Sequence, residues 1–486
     1  MALTKVTYSM ISGESFNVKD FGATGDGVTD DTAAIQLAFN ALVSYANRSL
    51  YFPPGDYLIS DTITPPSPLA SAQVFGASGY DGLRGPINDG LRTRLKWIGS
   101  TDATKAMVKF DRADGVIWQG ISLNCDYKAG YGLQFMSSTL VDPSTKNIVQ
   151  DCSIHYALRD GIIVGEDGNP TAAPGQRQFF GNVFRNLTMS GCARSAIHIN
   201  EWNADQQMFD TVMAYLDDAP VPQNTLNMFW FDHGGQQSVL LNCQSGGMNV
   251  VPGIPSSGFA IKNKADDASP YSTTAGAFGL TVIGFWQEGG GGLYYGITGT
   301  NDEKAFLFEN CRSFTSITAN RSVYIDKGTS AQIPYTFINC TFLSDIEVVS
   351  ATFNRESLSL INCISPNRFL IDNLGTQIPL NTLFATQVGI TGGGFSVPKF
   401  APVMQVTIDT NVGNGVFAPG LTATGQDITL IITQDGVGGR TITWGATGVF
   451  LSTPTIPQPA VGAGAKSVYT FVSNGTNYLL KSVVNT

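Results

Sequence analysis

An all-β, right-handed parallel β-helix is the fold this 486-residue sequence predicts, on three observations. The first is a register that returns along the middle third, an Asn or Asp followed at once by a buried-type residue, usually Cys. It reads Asp151-Cys152, Asn186-Leu187, Asn242-Cys243, Asn310-Cys311, Asn339-Cys340 and Asn362-Cys363, with Asp210-Thr211 and Gly284-Phe285 as weaker members. The second is its spacing. Its buried positions lie 23 to 42 residues apart, which fits one solenoid coil at the short end and a coil carrying loops at the long end. The third is composition: charged residues are 14% of the chain and glycines number 54, which suits stacked strands joined by tight turns.

The elements follow in order. Residues 1–15 form a lead-in. Phe16 to Thr32 reads as a strand, a Gly-rich turn and a helix start, with Asp30 or Asp31 as N-cap. Ile35, Ala38, Phe39 and Leu42 then fall at i, i+3, i+4 and i+7, the apolar face of a short helix that would cap the open first coil. Leu50 to Ile59 reads as strand, turn, strand and begins the coils. The β-helix is expected to span residues 16–372, with the two largest insertions at about 163–178 and 263–278. Those loops flank the coils starting near Asn186, Asp210 and Asn242, and loops on a rigid scaffold are where binding groups are placed. Prolines and glycines crowd the stretch 373–402, read as a linker. From 403 to 486 short alternating segments separated by Gly-rich turns predict a β-sandwich.

Seven cysteines are an odd number, and five of them occupy the same inward position of the register. Rungs about 4.8 Å apart stack such thiols in the core, so free packed thiols are expected, made in a reducing cytoplasm. The net charge of -10 and the absence of a basic run argue against nucleic acid and anionic membranes as partners. No apolar segment approaches the length of a membrane span, and Met1 to Gly13 lacks the apolar stretch of a signal peptide, so a soluble chain not exported by its own signal is expected.

Val18-Lys19-Asp20-Phe21-Gly22-Ala23-Thr24-Gly25-Asp26-Gly27-Val28-Thr29-Asp30-Asp31 through Gln36, followed by Tyr51-Phe52-Pro53-Pro54-Gly55-Asp56-Tyr57, resembles the N-terminal signature of the pectate-lyase-like β-helix superfamily, especially phage tailspike depolymerases. Leu3 to Ile11 is similar to the lead-in of phage tail proteins. The resemblance implies that Asp20, Asp26, Asp30 and Asp31 are structural. Ile432 to Trp444, with Gly475-Thr476-Asn477-Tyr478, resembles a small C-terminal module of phage tail fibres, which implies trimerisation or glycan contact.

Candidate chemistry gathers on the coils flanked by long loops. Carboxylates supply acid and base in glycoside cleavage. Trp286-Gln287-Glu288 puts Glu288 four positions past the register. Two coils earlier the same position is Ala214, with Tyr215, Asp217 and Asp218 just beyond, and Gly246 lies between as a floor for a sugar. Two coils rise about 9.6 Å, near the upper end of the inverting range. Glu288 paired with Asp217 or Asp218 is therefore the leading catalytic assignment. A second cluster, His198, Glu201, Trp202 and Asp205 with Trp230, Asp232 and His233, sets rings beside carboxylates, as pyranose recognition requires. For β-elimination, Lys262, Lys264, Arg312, His198 and His233 would supply the base and a cation. Substrate contacts are thus assigned to Trp286, Trp230, Trp202, His233, His198, Tyr215, Arg312 and Lys262. No metal-ligand spacing and no phosphate loop is found, so no metal and no cofactor is expected.

The expectation from sequence is a homotrimeric tailspike on a virion tail, contacting other tail or baseplate proteins. It would bind and hydrolyse a bacterial surface polysaccharide, capsule or O-antigen. An eliminating lyase and a non-cleaving adhesin are the alternatives, since one fold hosts all three.

Overall fold

A computed structural model of the chain describes residues 15–42, 48–80, 91–139, 144–167, 178–201, 203–215, 227–247, 258–263, 279–289 and 291–297, and beyond them strands and turns between 305 and 486. The chain divides into two compact units, Met1–Asp326 and Lys327–Thr486.

The first unit is a parallel β-helix. One sheet runs through strands Ile148–His155, Val183–Ser190, Met208–Tyr215, Val239–Leu241, Thr281–Ile283 and Phe306–Glu309, and a single rung position passes through Ile148, Val183, Met208, Val239, Thr281 and Leu307. A second parallel sheet stacks Asp102–Asp111, Ala129–Met136, Asp160–Gly165, Ser195–Asn200, Asn227–His233, Phe259–Asn263 and Gly292–Ile297. Alternate residues of both sheets meet inside, as where Phe209 contacts Phe229 at 5.0 Å and Phe231 at 6.0 Å between ring centroids.

The recurring Asn and Asp are explained by backbone conformation. Asp151, Asn186, Asn242 and Asn310 have φ between 48° and 56°, and Gly284 takes 68° at the same place. This left-handed region is costly for most side chains, while Asn, Asp and Gly enter it readily. The following residue then turns inward. Asn186 Nδ2 donates to Asp151 Oδ1 at 2.8 Å, so neighbouring rungs are also tied through side chains. One member was misplaced by a residue: Thr211, not Asp210, holds the left-handed φ of 54°, and Val212 rather than Thr211 is in register with Leu187. Asn362 falls outside the described residues.

All seven cysteines are free and buried. In the register the thiols donate to the carbonyl two residues back, Cys243 to Leu241 at 3.3 Å and Cys311 to Glu309 at 3.4 Å, and these two also reach the coil below, at Phe209 and Val282. Burial pushes the Cys152, Cys192 and Cys243 thiols up to about 12, which keeps them protonated and inert.

At the start of the unit the helix spans Thr32–Ala41, and Ile35, Ala38, Phe39 and Leu42 are all buried, with Phe39 against Phe52. The stretch after Phe16–Asn17 is a 3-10 turn, Val18–Phe21, where a strand was expected. Asp31 holds the N-cap position, but its carboxylate accepts the Thr24 amide at 2.7 Å and the Gly25 amide at 3.0 Å instead of capping the helix. Asp26 accepts the Val28 and Thr29 amides, and these bonds, the Thr29 one first, hold its carboxyl down to about 2. Asp26, Asp30 and Asp31 thus bond local backbone amides and shape the turns of this segment.

In the second unit Val403–Ile408, Thr424–Gln434, Lys466–Asn474 and Tyr478–Asn485 form one sheet together with Gln387–Ile390, and Gly394–Val397, Val412–Phe417 and Ile442–Trp444 form another. Val406, Ile408, Leu430, Ile432, Tyr469 and Phe471 of the first pack with Val412 and Ile442 of the second, which makes a sandwich core. The expected linker 373–402 is not free of structure. It contributes Gln377–Pro379, antiparallel to Phe369–Ile371, and two strands of the sandwich sheets. Among the described residues no helix is long and apolar enough to cross a membrane.

Candidate functional site

The first predicted cluster lies on the outer face of the sheet that contains Thr281–Ile283. Gln244 is in register with Trp286 and Trp286 with Arg312, while the intervening Ser245, Gln287 and Ser313 point inward and are buried. Trp286 and Glu288 therefore project from the same face two residues apart. Trp286 is 43% exposed, and the Arg312 guanidinium lies 5.7 Å from the indole centroid. A cation over an exposed ring contributes roughly 0.5–1 kcal/mol and holds the ring's position. Glu288 is also exposed.

Register corrects the partner expected for Glu288. Ala214 pairs with Ser245 and Ser245 with Gln287, so Ala214 belongs to the inward row. Tyr215 pairs with Gly246, and Gly246 is the residue next in line with Glu288. The floor expected at Gly246 is covered: a side chain there would meet the Tyr215 ring at 2.9 Å, and Gln244 Nε2 donates to the Tyr215 hydroxyl at 2.6 Å. Asp217, Asp218 and Trp202 lie outside the described residues, as do positions 168–177 and 264–278 of the two long insertions.

The second cluster is on the other sheet. One outward row passes from Ile163 through His198, Trp230, Lys262 and Tyr295 to Tyr324. The His198 imidazole is parallel to the Trp230 indole at 4.1 Å, the Lys262 ammonium sits 3.9 Å from the indole centroid, and Tyr295 stacks on Tyr324 at 4.9 Å. His198 Nδ1 lies 3.1 Å from Asp160 Oδ2 and Nε2 lies 3.3 Å from Asp232 Oδ2. His233 Nδ1 meets Asn200 Oδ1 at 2.8 Å. Asp160 and Arg194 were not anticipated from sequence. Arg194 forms a two-pronged pair with Asp160, bonds Asp167 at 2.7 Å and lies 5.4 Å from the Trp230 centroid. Their signal was available, because Asp160 and Ser195, the neighbour of Arg194, share a rung.

Burial alone would raise the Asp160 carboxyl, but the charges of Arg194 and His198 outweigh it and hold it well below the usual range. Burial, with the Asp160 charge added, pushes the Tyr131 hydroxyl up to about 12. His198, Lys262, His233 and Asp160 are essentially sealed from solvent, as is Glu201, whose amide donates to the His233 carbonyl at 2.7 Å. Asp205 stands apart, half-buried at a turn where it accepts the Gln236 amide. The predicted residues thus form two separate groups on two sheets: a buried ionic and aromatic stack, and an open face of Trp286, Glu288, Arg312 and Tyr215.

Residues 15–83 match the family described as Rhamnogalacturonase A/epimerase, pectate lyase-like. Mannuronan C5-epimerase AlgE5 of Azotobacter vinelandii is 56% identical over 45 residues, 9% of this chain and 4% of that protein. The chain thus spans a small part of the curated relatives it matches. Among solved structures, the Acinetobacter phage vB_ApiP_P1 tailspike is 13% identical with a TM-score of 0.39, covering 97% of this chain and 79% of that one. ORF18 of Geobacillus virus E2 is 12% identical with a TM-score of 0.38, over 97% and 76%.

Proposed function

We propose that this chain is a viral tailspike that binds a bacterial surface polysaccharide, capsule or O-antigen, and hydrolyses it. The observation that carries the reading is the open face of the β-helix, where Trp286, braced by Arg312, stands beside the exposed carboxylate of Glu288. A pyranose ring packs its apolar face on an indole, and its hydroxyls and glycosidic oxygen then meet the polar groups around it. Glu288 serves as the acid or the base, with Asp217 or Asp218 as the opposite carboxylate, following Tyr215 two rungs away. An inverting mechanism needs the two carboxyl groups about 6.5–9.5 Å apart, which leaves room for a water. The protein works as a homotrimer on the virion tail.

Elimination on the same fold is the second reading. The row His198, Trp230 and Lys262 with Arg194 beside it holds a base and two cations of the types it needs, but His198 and Lys262 are buried, which counts against it. Incubation with polysaccharides from a capsule-typed strain panel separates the readings. New reducing ends without the ultraviolet absorbance of an unsaturated uronate support hydrolysis, that absorbance supports elimination, and firm binding with neither leaves an adhesin.

A further inference from the structure

A cavity of about 240 Å³ opens on the turn side of the early coils, away from both clusters above. It is lined by the loop Gly76 to Tyr80 on one side and by Gln119, Asp151 and Asn186 on the other. Tyr80 is 52% exposed, and the Arg92 guanidinium lies 5.9 Å from its ring centroid. Opposite it the polar groups form a chain: Gln119 Nε2 donates to Asp151 Oδ2 at 3.3 Å and Asn186 Nδ2 donates to Asp151 Oδ1 at 2.8 Å. Each carboxylate oxygen accepts one of these bonds and retains a further lone pair, and each amide retains its own acceptor oxygen. Gly79 brings the loop across the rungs: it bridges to Cys152, and a side chain on it would lie 2.5 Å from the Ile121 amide.

We propose that this cavity is a second saccharide subsite and takes one neutral hexose unit. The volume suits one sugar ring and falls below the usual range of drug-sized pockets, about 300–1,000 Å³. The Tyr80 ring is a platform for the apolar face, and the Asp151 carboxylate with its two amides accepts and donates to the hydroxyls. Asp151 disfavours a uronate or phosphate, and Arg92 is bonded to the Tyr80 carbonyl and set over its ring. The position matters for a polymer. The rung of Asn186 leads through those of Asp210 and Leu241 to that of Ile283, so Asn186, at the near edge of the cavity, lies three rungs, about 14 Å, from the rung of Trp286, and Asp151 one rung further. The inference rests on the polysaccharide reading for its ligand class and adds a second point of attachment to it.

The test is saturation-transfer NMR on the whole chain with glucose, galactose, mannose and rhamnose as probes. At least one hexose is expected to bind, with a loss of fivefold or more in affinity in Tyr80→Ala and in Asp151→Asn. Asn tolerates the left-handed backbone at 151, and Tyr80 is exposed, so both variants fold. No binding by any of the four sugars, or binding unchanged in both cavity variants, overturns the proposal. Cleavage of a polysaccharide by a wild-type protein that binds none of the hexoses overturns the subsite and leaves the hydrolase reading standing. Tyr80-dependent hexose binding without cleavage of any capsule supports the subsite and counts against the hydrolase alone.

Discussion

Arg312 sits one rung beyond Trp286 on the outer face of the β-helix, its guanidinium 5.7 Å from the indole centroid. The pair holds a large apolar ring open to solvent, where core packing gains nothing from it. Trp286→Ala should leave the melting temperature nearly unchanged, since exposed substitutions usually stay within about 0.5 kcal/mol. It should weaken polysaccharide binding tenfold or more, about 1.4 kcal/mol. Titration of a sensitive capsule into both proteins checks this, and equal affinities would remove Trp286 from the site.

The left-handed row gives a stability prediction. Asn310 has φ 54°, and a β-branched residue there should cost roughly 1–3 kcal/mol. Asn310→Val is expected to lower the urea midpoint while Asn310→Gly leaves it close to wild type. Equal midpoints for the two variants would mean that the row is not conformationally selected.

The same row shows what could be read in advance. Asn, Asp and Gly recur because only they enter that backbone region cheaply, so a conformational demand leaves a compositional trace. Where Thr211 meets the demand, the neighbouring Asp210 imitates the signal and the reading slips by one residue. A slip of that size exchanges inward for outward, which is why Ala214 was aligned with Glu288 when Tyr215 belongs there. Side-chain alternation also could not foretell that the His198 row would be sealed. Its burial depends on what lies over the sheet, and the residues of the row carry no mark of it. Asp160 escaped because a polar residue at the start of an apolar strand reads as a turn.

The buried thiols should be invisible to reagents. Thiol titration of the native protein is expected to find almost no reactivity, and of the denatured protein nearly all seven groups. Two or more disulfides in protein made in a reducing cytoplasm would contradict the packed-thiol core.

The Asp160 and Arg194 pair predicts a pH dependence. The folded carboxyl lies below its unfolded value of about 3.9, so its stabilisation is complete above that pH and is lost as pH falls through the folded value. Asp160→Asn should therefore destabilise the protein throughout pH 5 to 8, on the order of 3–5 kcal/mol for a broken buried pair. Thermal unfolding of both proteins across that range checks it. A difference that vanishes within it would show that the pair contributes nothing.

Glu288 carries the central claim, and its replacement is the most direct measurement. General acid or base catalysis is commonly worth about 10²- to 10⁴-fold. Glu288→Gln should lower the release of reducing ends from a sensitive capsule at least 100-fold, with binding and melting temperature retained because the side chain is exposed and the shape of the face is kept. Release of reducing ends by Glu288→Gln at close to the wild-type rate would contradict the account.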